Sequence, residues 1–254
     1  MKVRVLVIGI GTGNLDHLTR EAIAALNEVD LFLVADKGSA KRDLASLRTT
    51  VCSTFIEHDH YRIVEVPDPD RDRSPADYSG AVREWHAARV QDYAAAIHDQ
   101  LLPGDTVGLL VWGDPAFYDS TIRTARGLSD HGLEVDLRVV PGISSLQLLA
   151  ARHQIALNQI GGSIHVTTGR RLIEEYSTGL GDVVVMLDGD LACEGLIDRH
   201  PDLQIFWGAQ LGLPSEALIA GTLGEVLPRI RAARADIRKR NGWVMDTYLL
   251  RCPS

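Results

Sequence analysis

The chain is poor in cysteine, and the three it has, Cys52, Cys193 and Cys252, are scattered. No pair has metal-ligand spacing and the count is odd, which excludes a disulfide framework and a cysteine metal site and predicts reduced thiols in a cytoplasmic protein. His58 and His60 flank Asp59, but this reads as a solvated loop and not as a metal pair. No apolar run is long enough to span a membrane. Met1 to Ile10 is a short apolar stretch followed at once by Gly9, Gly11 and Gly13, the pattern of a first β-strand and not of a signal peptide. An excess of positive charge is also missing: the formal net charge is -8. That argues against a general nucleic-acid or anionic-membrane binder, although local arginines can still hold an anion. Neither an internal repeat nor a low-complexity segment is present. What remains is an ordinary balance, 45% hydrophobic and 24% charged over 254 residues, enough for one large or two small cores.

The apolar runs alternate with helical patterns. Val3 to Ile8 predicts a buried strand, Gly9 to Leu18 a glycine loop, and Thr19 a cap for a helix through Leu26. Leu31 to Ala35 predicts a second strand, completing a βαβ unit and hence a parallel sheet. Pro67 to Asp77 is charged and punctuated by proline, the composition of a surface loop or a lid. Val82, Val90, Ala94, Ile97 and Leu101 give one apolar face to a helix over about Ser79 to Leu102, stopped by Pro103-Gly104. Val107 to Trp112 predicts a strand, and Gly113-Asp114-Pro115 a turn into a helix reaching about Ser129. Asp114 is placed to cap that helix, and Pro115 suits its first turn. Leu133 to Val140 predicts a strand, and Pro141-Gly142 a turn into a helix through Arg152. Beyond it, strands are expected at Ser163 to Thr168, Val183 to Leu187, Gln204 to Trp207 and Trp243 to Leu250, with a helix at Gly224 to Ala235. The expected domains are residues 1–141 and 142–254.

Gly9-Ile10-Gly11-Thr12-Gly13-Asn14, between a strand and a helix, invites a dinucleotide reading. The third glycine of that fingerprint is replaced by Asn14, and neither Asp30 nor Asp36 sits at a persuasive offset for a ribose-binding acid. Val7 to Thr19 instead resembles the first motif of the tetrapyrrole methyltransferases, with Thr12 at the usual proline and Asn14 at the usual aspartate. Leu109 to Thr121 resembles that family's ligand-binding turn, Val139 to Ser145 its proline-glycine-serine turn, and Leu211 to Glu216 with Ala220 to Leu223 a donor-contacting strand end in its second domain. The four matches occur in the family's order along nearly the whole chain. The resemblance implies two α/β domains of the class III type, an active site in the interdomain cleft, S-adenosylmethionine as donor and a homodimer. Carried over by position, the donor contacts are Thr12, Trp112, Gly113, Asp114, Phe117, Ser144, Ser145, Leu187 and Leu211.

Val66 to Arg73, Tyr78, Trp85 to Arg89, Val111 to Pro115 with Tyr118 to Thr121, and Gly242 to Arg251 resemble those members that act in aerobic cobalamin biosynthesis, methylating carbon 1 of precorrin-5 and releasing acetate. The implied substrate is a macrocycle fringed with carboxylates. Guanidinium groups grip carboxylates in bidentate fashion, so Arg71, Arg73 and Arg89 are expected to bind it, with Trp85 four residues before Arg89 offering a ring surface. Gly11 and Asp16 complete the expected substrate contacts. Asp68, Asp70, Asp72 and Asp77 are interleaved with the arginines, so a loop of internal salt bridges is the plain alternative. His86, Asp114, Tyr118 and Asp16 are candidates for acid-base work. Rival readings are another precorrin C-methyltransferase, a tetrapyrrole carrier without turnover, and a nicotinamide-dependent oxidoreductase.

Overall fold

A computed structural model describes residues 1–36, 42–69 and 77–253, which form two units, Met1–Ile143 and Ser144–Ser254. The first unit runs β1 (Lys2–Gly9), α1 (Arg20–Leu26), β2 (Leu31–Asp36), α2 (Arg42–Phe55), β3 (Arg62–Pro67), α3 (Tyr78–Gln100), β4 (Thr106–Val111), α4 (Thr121–Gly127) and β5 (Glu134–Val140). All neighbouring strands are parallel, in the order β3-β2-β4-β1-β5. β4 is buried at every position, because a parallel sheet is covered on both faces. The alternation of β1 sorts the covering helices. Val3, Val5 and Val7 pack with Val90, Tyr93, Ala94 and Ile97 of α3 and with Ala125 of α4. Leu6 and Ile8 pack with Ala22, Ala25 and Leu26 of α1 and with Val51 and Cys52 of α2. Thr19 caps α1 as expected, its hydroxyl accepting from Ala22 N at 3.0 Å.

The second unit runs α5 (Ser145–His153), β6 (Ile164–Thr168), α6 (Gly169–Glu175), β7 (Asp182–Met186), β8 (Gln204–Ala209), β9 (Ala217–Thr222), α7 (Leu223–Asn241) and β10 (Asp246–Arg251). Its sheet has the order β6-β7-β10-β8-β9 and is mixed: only β6 and β7 are parallel. One face is covered by α6 and α7, whose Leu172, Leu227 and Ile230 pack on Val183, Val185, Ile205, Trp207 and Tyr248. α5 packs against β8 and β10.

Several expectations are corrected. No helix follows Gly113-Asp114-Pro115; α4 begins only at Thr121, where Asp119 accepts from Thr121 N at 2.6 Å. Asp114 closes a tight turn instead, accepting from Ala116 N at 2.7 Å, and Tyr118 at φ +49° forbids a helix through it. α2 and β3 were not expected, since α2 is rich in threonine and β3 is a half-exposed edge strand. α6 and β9 were likewise unforeseen. β7 ends at Met186, one residue early, because Leu187 turns out of the strand at φ +53°. α7 runs on to Asn241.

Burial pushes the Cys52 thiol up to about 11 and the Cys193 thiol up to about 12. Both stay protonated near neutral pH, so they are poor nucleophiles as well as enclosed. Iodoacetamide at pH 8 should therefore modify the half-buried Cys252 first in the native protein. Peptide mass spectrometry checks this, and equal labelling of all three would contradict the packing described.

Candidate active site

The carboxyl ends of β1, β4 and β5 meet in the first unit without side chains between them. A Cβ on Gly142 would lie 2.2 Å from the Gly113 carbonyl oxygen, and one on Gly9 would lie 2.6 Å from Gly142 N. Only glycine allows so close an approach of backbones. Gly11 and Gly113, both in the left-handed region at φ +71°, exchange two hydrogen bonds: Gly113 N donates to Gly11 O at 2.7 Å and Gly11 N to Gly113 O at 3.2 Å. Asp114 then ties in the third segment, accepting from Gly142 N at 2.9 Å. The glycine loop, the Gly-Asp-Pro turn and the Pro-Gly turn are thus one structure.

Topology makes this edge a place for a ligand. The chain leaves β1 toward β2 on the face of α1 and leaves β4 toward β5 on the face of α4. The two connections run in opposite directions, each past the other's strand, so the loops cross at the carboxyl ends of the strands, the edge where open α/β sheets bind ligands.

The sequence-derived residues fall into three groups. Gly11, Thr12, Gly113 and Asp114 lie in the crossing or next to it, with Trp112 and Phe117 half-buried on either side of Gly113-Asp114. Thr12 is 2% exposed, and its hydroxyl oxygen is buried without a hydrogen-bond partner among the described residues. That orphaned group is an opening for a ligand atom or water. Asn14 accepts from Asp16 N at 3.0 Å, so it caps a short turn, while Asp16 itself is exposed. Tyr118 is 46% exposed.

The second group lies on α3. Arg89 is only 8% exposed; its guanidinium lies 3.2 Å from Ser120 Oγ, 3.8 Å from Asp68 and 5.3 Å over the Trp85 ring. Trp85 donates to the Pro69 carbonyl at 2.8 Å. Both side chains therefore hold the stem of the proline-rich segment. The i, i+4 spacing signalled their pairing correctly but not that they face inward. His86 Nε2 accepts from Arg123 at 3.2 Å, an interaction that occupies the lone pair a base would use. Arg48 went unnoticed in the sequence because its helix did; burial lowers its guanidinium pKa, with Tyr93 and Asp119 opposing the shift and Arg89 adding to it. Arg71 and Arg73 lie outside the described residues.

The third group belongs to the second unit. Ser144 is buried, and its N donates to Gln147 Oε1 at 2.8 Å at the start of α5. Ser145 Oγ accepts from Thr247 at 3.1 Å. Leu211 is buried against Gly208, whereas Leu187 is 63% exposed.

A family model described as Tetrapyrrole (Corrin/Porphyrin) Methylases matches residues 4–227. The chain belongs to this family. Among its relatives, precorrin-6A synthase [deacetylating] from Sinorhizobium sp is 42% identical over 249 residues, covering 98% of this chain and 95% of that protein. The crystal structure of a cobalamin synthesis related protein (CobF) from Corynebacterium diphtheriae superposes with a TM-score of 0.84 at 35% identity, covering all of both chains. Uroporphyrin-III C-methyltransferase from Thermus thermophilus, solved in complex with S-adenosyl homocysteine, shares the fold, with a TM-score of 0.57 at 18% identity over 98% of this chain and 92% of that one. The methylase family, and not the dinucleotide alternative, accounts for the glycine loop.

Gly142→Ala should destabilise the protein by about 3 kcal/mol, because its new methyl meets backbone that cannot rotate away. Urea unfolding checks this against Gly179→Ala, whose Cβ would meet nothing closer than 3.9 Å.

Proposed function

We propose that the chain is an S-adenosylmethionine-dependent C-methyltransferase that acts on precorrin-5, methylating carbon 1 and releasing the acetyl group as acetate to give precorrin-6A. The observation that carries this reading is the 42% identity to a precorrin-6A synthase over 98% of the chain. A relative of the same fold solved with S-adenosyl homocysteine supports the choice of donor.

The residues at the crossing fit such a donor. It has no phosphate, so it needs close backbone approach and a few polar groups, which the glycines and the orphaned Thr12 hydroxyl offer. Trp112, Gly113 and Phe117 are proposed to hold it with Thr12, and Ser144, Ser145, Leu187 and Leu211 of the second unit to contribute to its affinity. When bound, the donor supplies an electrophilic methyl group on a sulfonium.

The chain's own task is then alignment and exclusion of water. Asp114 is poorly suited to be a base, since its two carboxylate oxygens already accept from Ala116 N and Gly142 N. It sets the shape of the turn. Of the acid-base candidates, Tyr118 is the exposed one beside that turn, and we assign it the water that attacks the acetyl carbonyl. When the carbon–acetyl bond breaks, its electron pair stays on the ring. That pair balances the new carbon–methyl bond. One water is consumed, and acetic acid and one proton are released. Arg71 and Arg73 are proposed to grip substrate carboxylates. Arg89 and Trp85 act on the substrate indirectly, by holding Asp68 and Pro69 against α3. A cytoplasmic homodimer completes the proposal. Among the described residues no helix is long and apolar enough to cross a membrane.

Purified protein incubated with methyl-labelled S-adenosylmethionine and enzymatically prepared precorrin-5 should add one labelled methyl to the macrocycle and release one acetate. Mass spectrometry and an acetate assay read the two products. A methyl gained without acetate would move the substrate to another precorrin, and donor binding without turnover would favour a carrier. In the same assay, Arg71→Ala with Arg73→Ala should raise the tetrapyrrole KM at least tenfold and leave donor affinity unchanged; unaltered tetrapyrrole affinity would remove the carboxylate clamp from the proposal.

A further inference from the structure

The sheet of the first unit parts between β2 and β4. The two strands pair only at Leu31 with Val107 and Phe32 with Gly108. Beyond these, β2 stays with β3 as far as Pro67, and β4 stays with β1 as far as Gly9. The carboxyl halves of β2 and β4 therefore have no ladder between them. Groups from opposite faces of the sheet meet at this end. Arg48 belongs to α2, which packs on the face of Leu6 and Ile8. The groups that act on its charge are Tyr93 and Arg89 of α3, which covers the other face, and Asp119 in the loop after β4. Asp68, just past the end of β3, reaches the same place.

Two guanidinium groups are thus enclosed without a matching carboxylate. Arg89, 8% exposed, donates only to hydroxyls, those of Ser120 at 3.2 Å and Tyr93 at 3.4 Å. Asp68 Oδ1 lies 3.8 Å from its Nε, beyond hydrogen-bond range, and both atoms are buried without a hydrogen-bond partner among the described residues. Arg48 is half-buried and has no ion pair among the described residues. Asp119 already accepts from Thr121 N at 2.6 Å. Burial lowers the pKa of Arg48; Tyr93 and Asp119 oppose the shift, and the like charge of Arg89 adds to it.

Enclosing two like charges is costly, and a core that served folding alone would do as well with apolar residues. An anion between them removes the cost. The opening lies at the carboxyl edge of a parallel sheet, where such sheets bind ligands, and a guanidinium fork matches a carboxylate. Arg48, the less buried of the two, is the one a ligand can reach. We propose that Arg48 is the ligand-facing cation of a carboxylate site in this opening, with Arg89 as the fixed charge behind it, and that the site takes a carboxylate of the tetrapyrrole or the acetate released from it. All of these residues lie in the first unit. The source of the carboxylate rests on the reading of this chain as a deacetylating methyltransferase; the site itself does not.

Thermal unfolding of the whole protein, with sodium acetate in place of sodium chloride at equal ionic strength, tests the site without turnover. Acetate should raise the Tm of the wild type, and Arg48→Met should abolish that rise. An equal response in both proteins would overturn the site. Kinetics with S-adenosylmethionine and precorrin-5 then identify the carboxylate. If the macrocycle carries it, Arg48→Met raises the tetrapyrrole KM at least tenfold and leaves the Kd for S-adenosylhomocysteine unchanged. If the product carries it, KM stays the same and inhibition by added acetate is lost in the variant. A variant matching the wild type in both respects would overturn the assignment to either. A wild type that responds to acetate but turns over no precorrin-5 would overturn the substrate reading and leave the site standing. Arg48→Lys, which keeps the charge and loses the planar fork, takes the place of Arg48→Met if that variant does not fold, and should weaken both effects.

Discussion

The meeting of Gly9, Gly113 and Gly142 is the constraint from which the first unit's site follows. Three parallel strands end together, and their outgoing segments pass within backbone contact. No side chain fits there, so the groups available at this edge are amides, carbonyls and whatever hangs from residues up to four positions along the chain. Thr12, Trp112, Asp114 and Phe117 occupy those positions. A large ligand without phosphate is well served by such an edge, because backbone groups need no reorganisation to meet it. Asp114 contributes by fixing distances. One of its oxygens shapes its own turn and the other reaches an amide of the neighbouring segment, so a carboxylate that resembles a catalytic acid in sequence is a clamp in space.

Much of this was legible because local chemistry and tertiary placement agree. The β1 run, the Thr19 cap and the apolar face of α3 are signals within a few residues, and the packed sheet uses them as they stand. The order of four weak motifs was informative for a different reason: three of them are the three ends that must meet. Where the reading failed, a distant partner had taken over a local signal. Asp-Pro is a good helix start, yet Asp114 spends its second oxygen on Gly142, and the left-handed Tyr118 delays α4 to Thr121. α2 is rich in threonine and serine, which are weak helix formers, and β3 lies at an edge where only one face is covered. Arg89 and Trp85 were paired correctly by spacing, but which way the pair faces depends on Asp68 and Pro69, whose approach no helical periodicity encodes.

The second unit holds the turn after β7 by the opposite means. Where the first unit removes side chains, the second buries charge: the carboxylates of Asp188 and Asp246, with the guanidinium of Arg234 on the carbonyls of one and beside the other. The balance is delicate, since burial raises the pKa of Asp246 and the Arg234 charge works against that rise. Buried ion pairs are seldom the most stabilising choice, and an apolar core of equal volume commonly does as well. What charge gives that packing cannot is direction. Tyr248, Trp207 and Arg234 meet their acceptors at fixed distances and angles, and a turn held so has one conformation. A sequence shows three such residues far apart with nothing to relate them, which is why this part of the fold was invisible until the strands were in place.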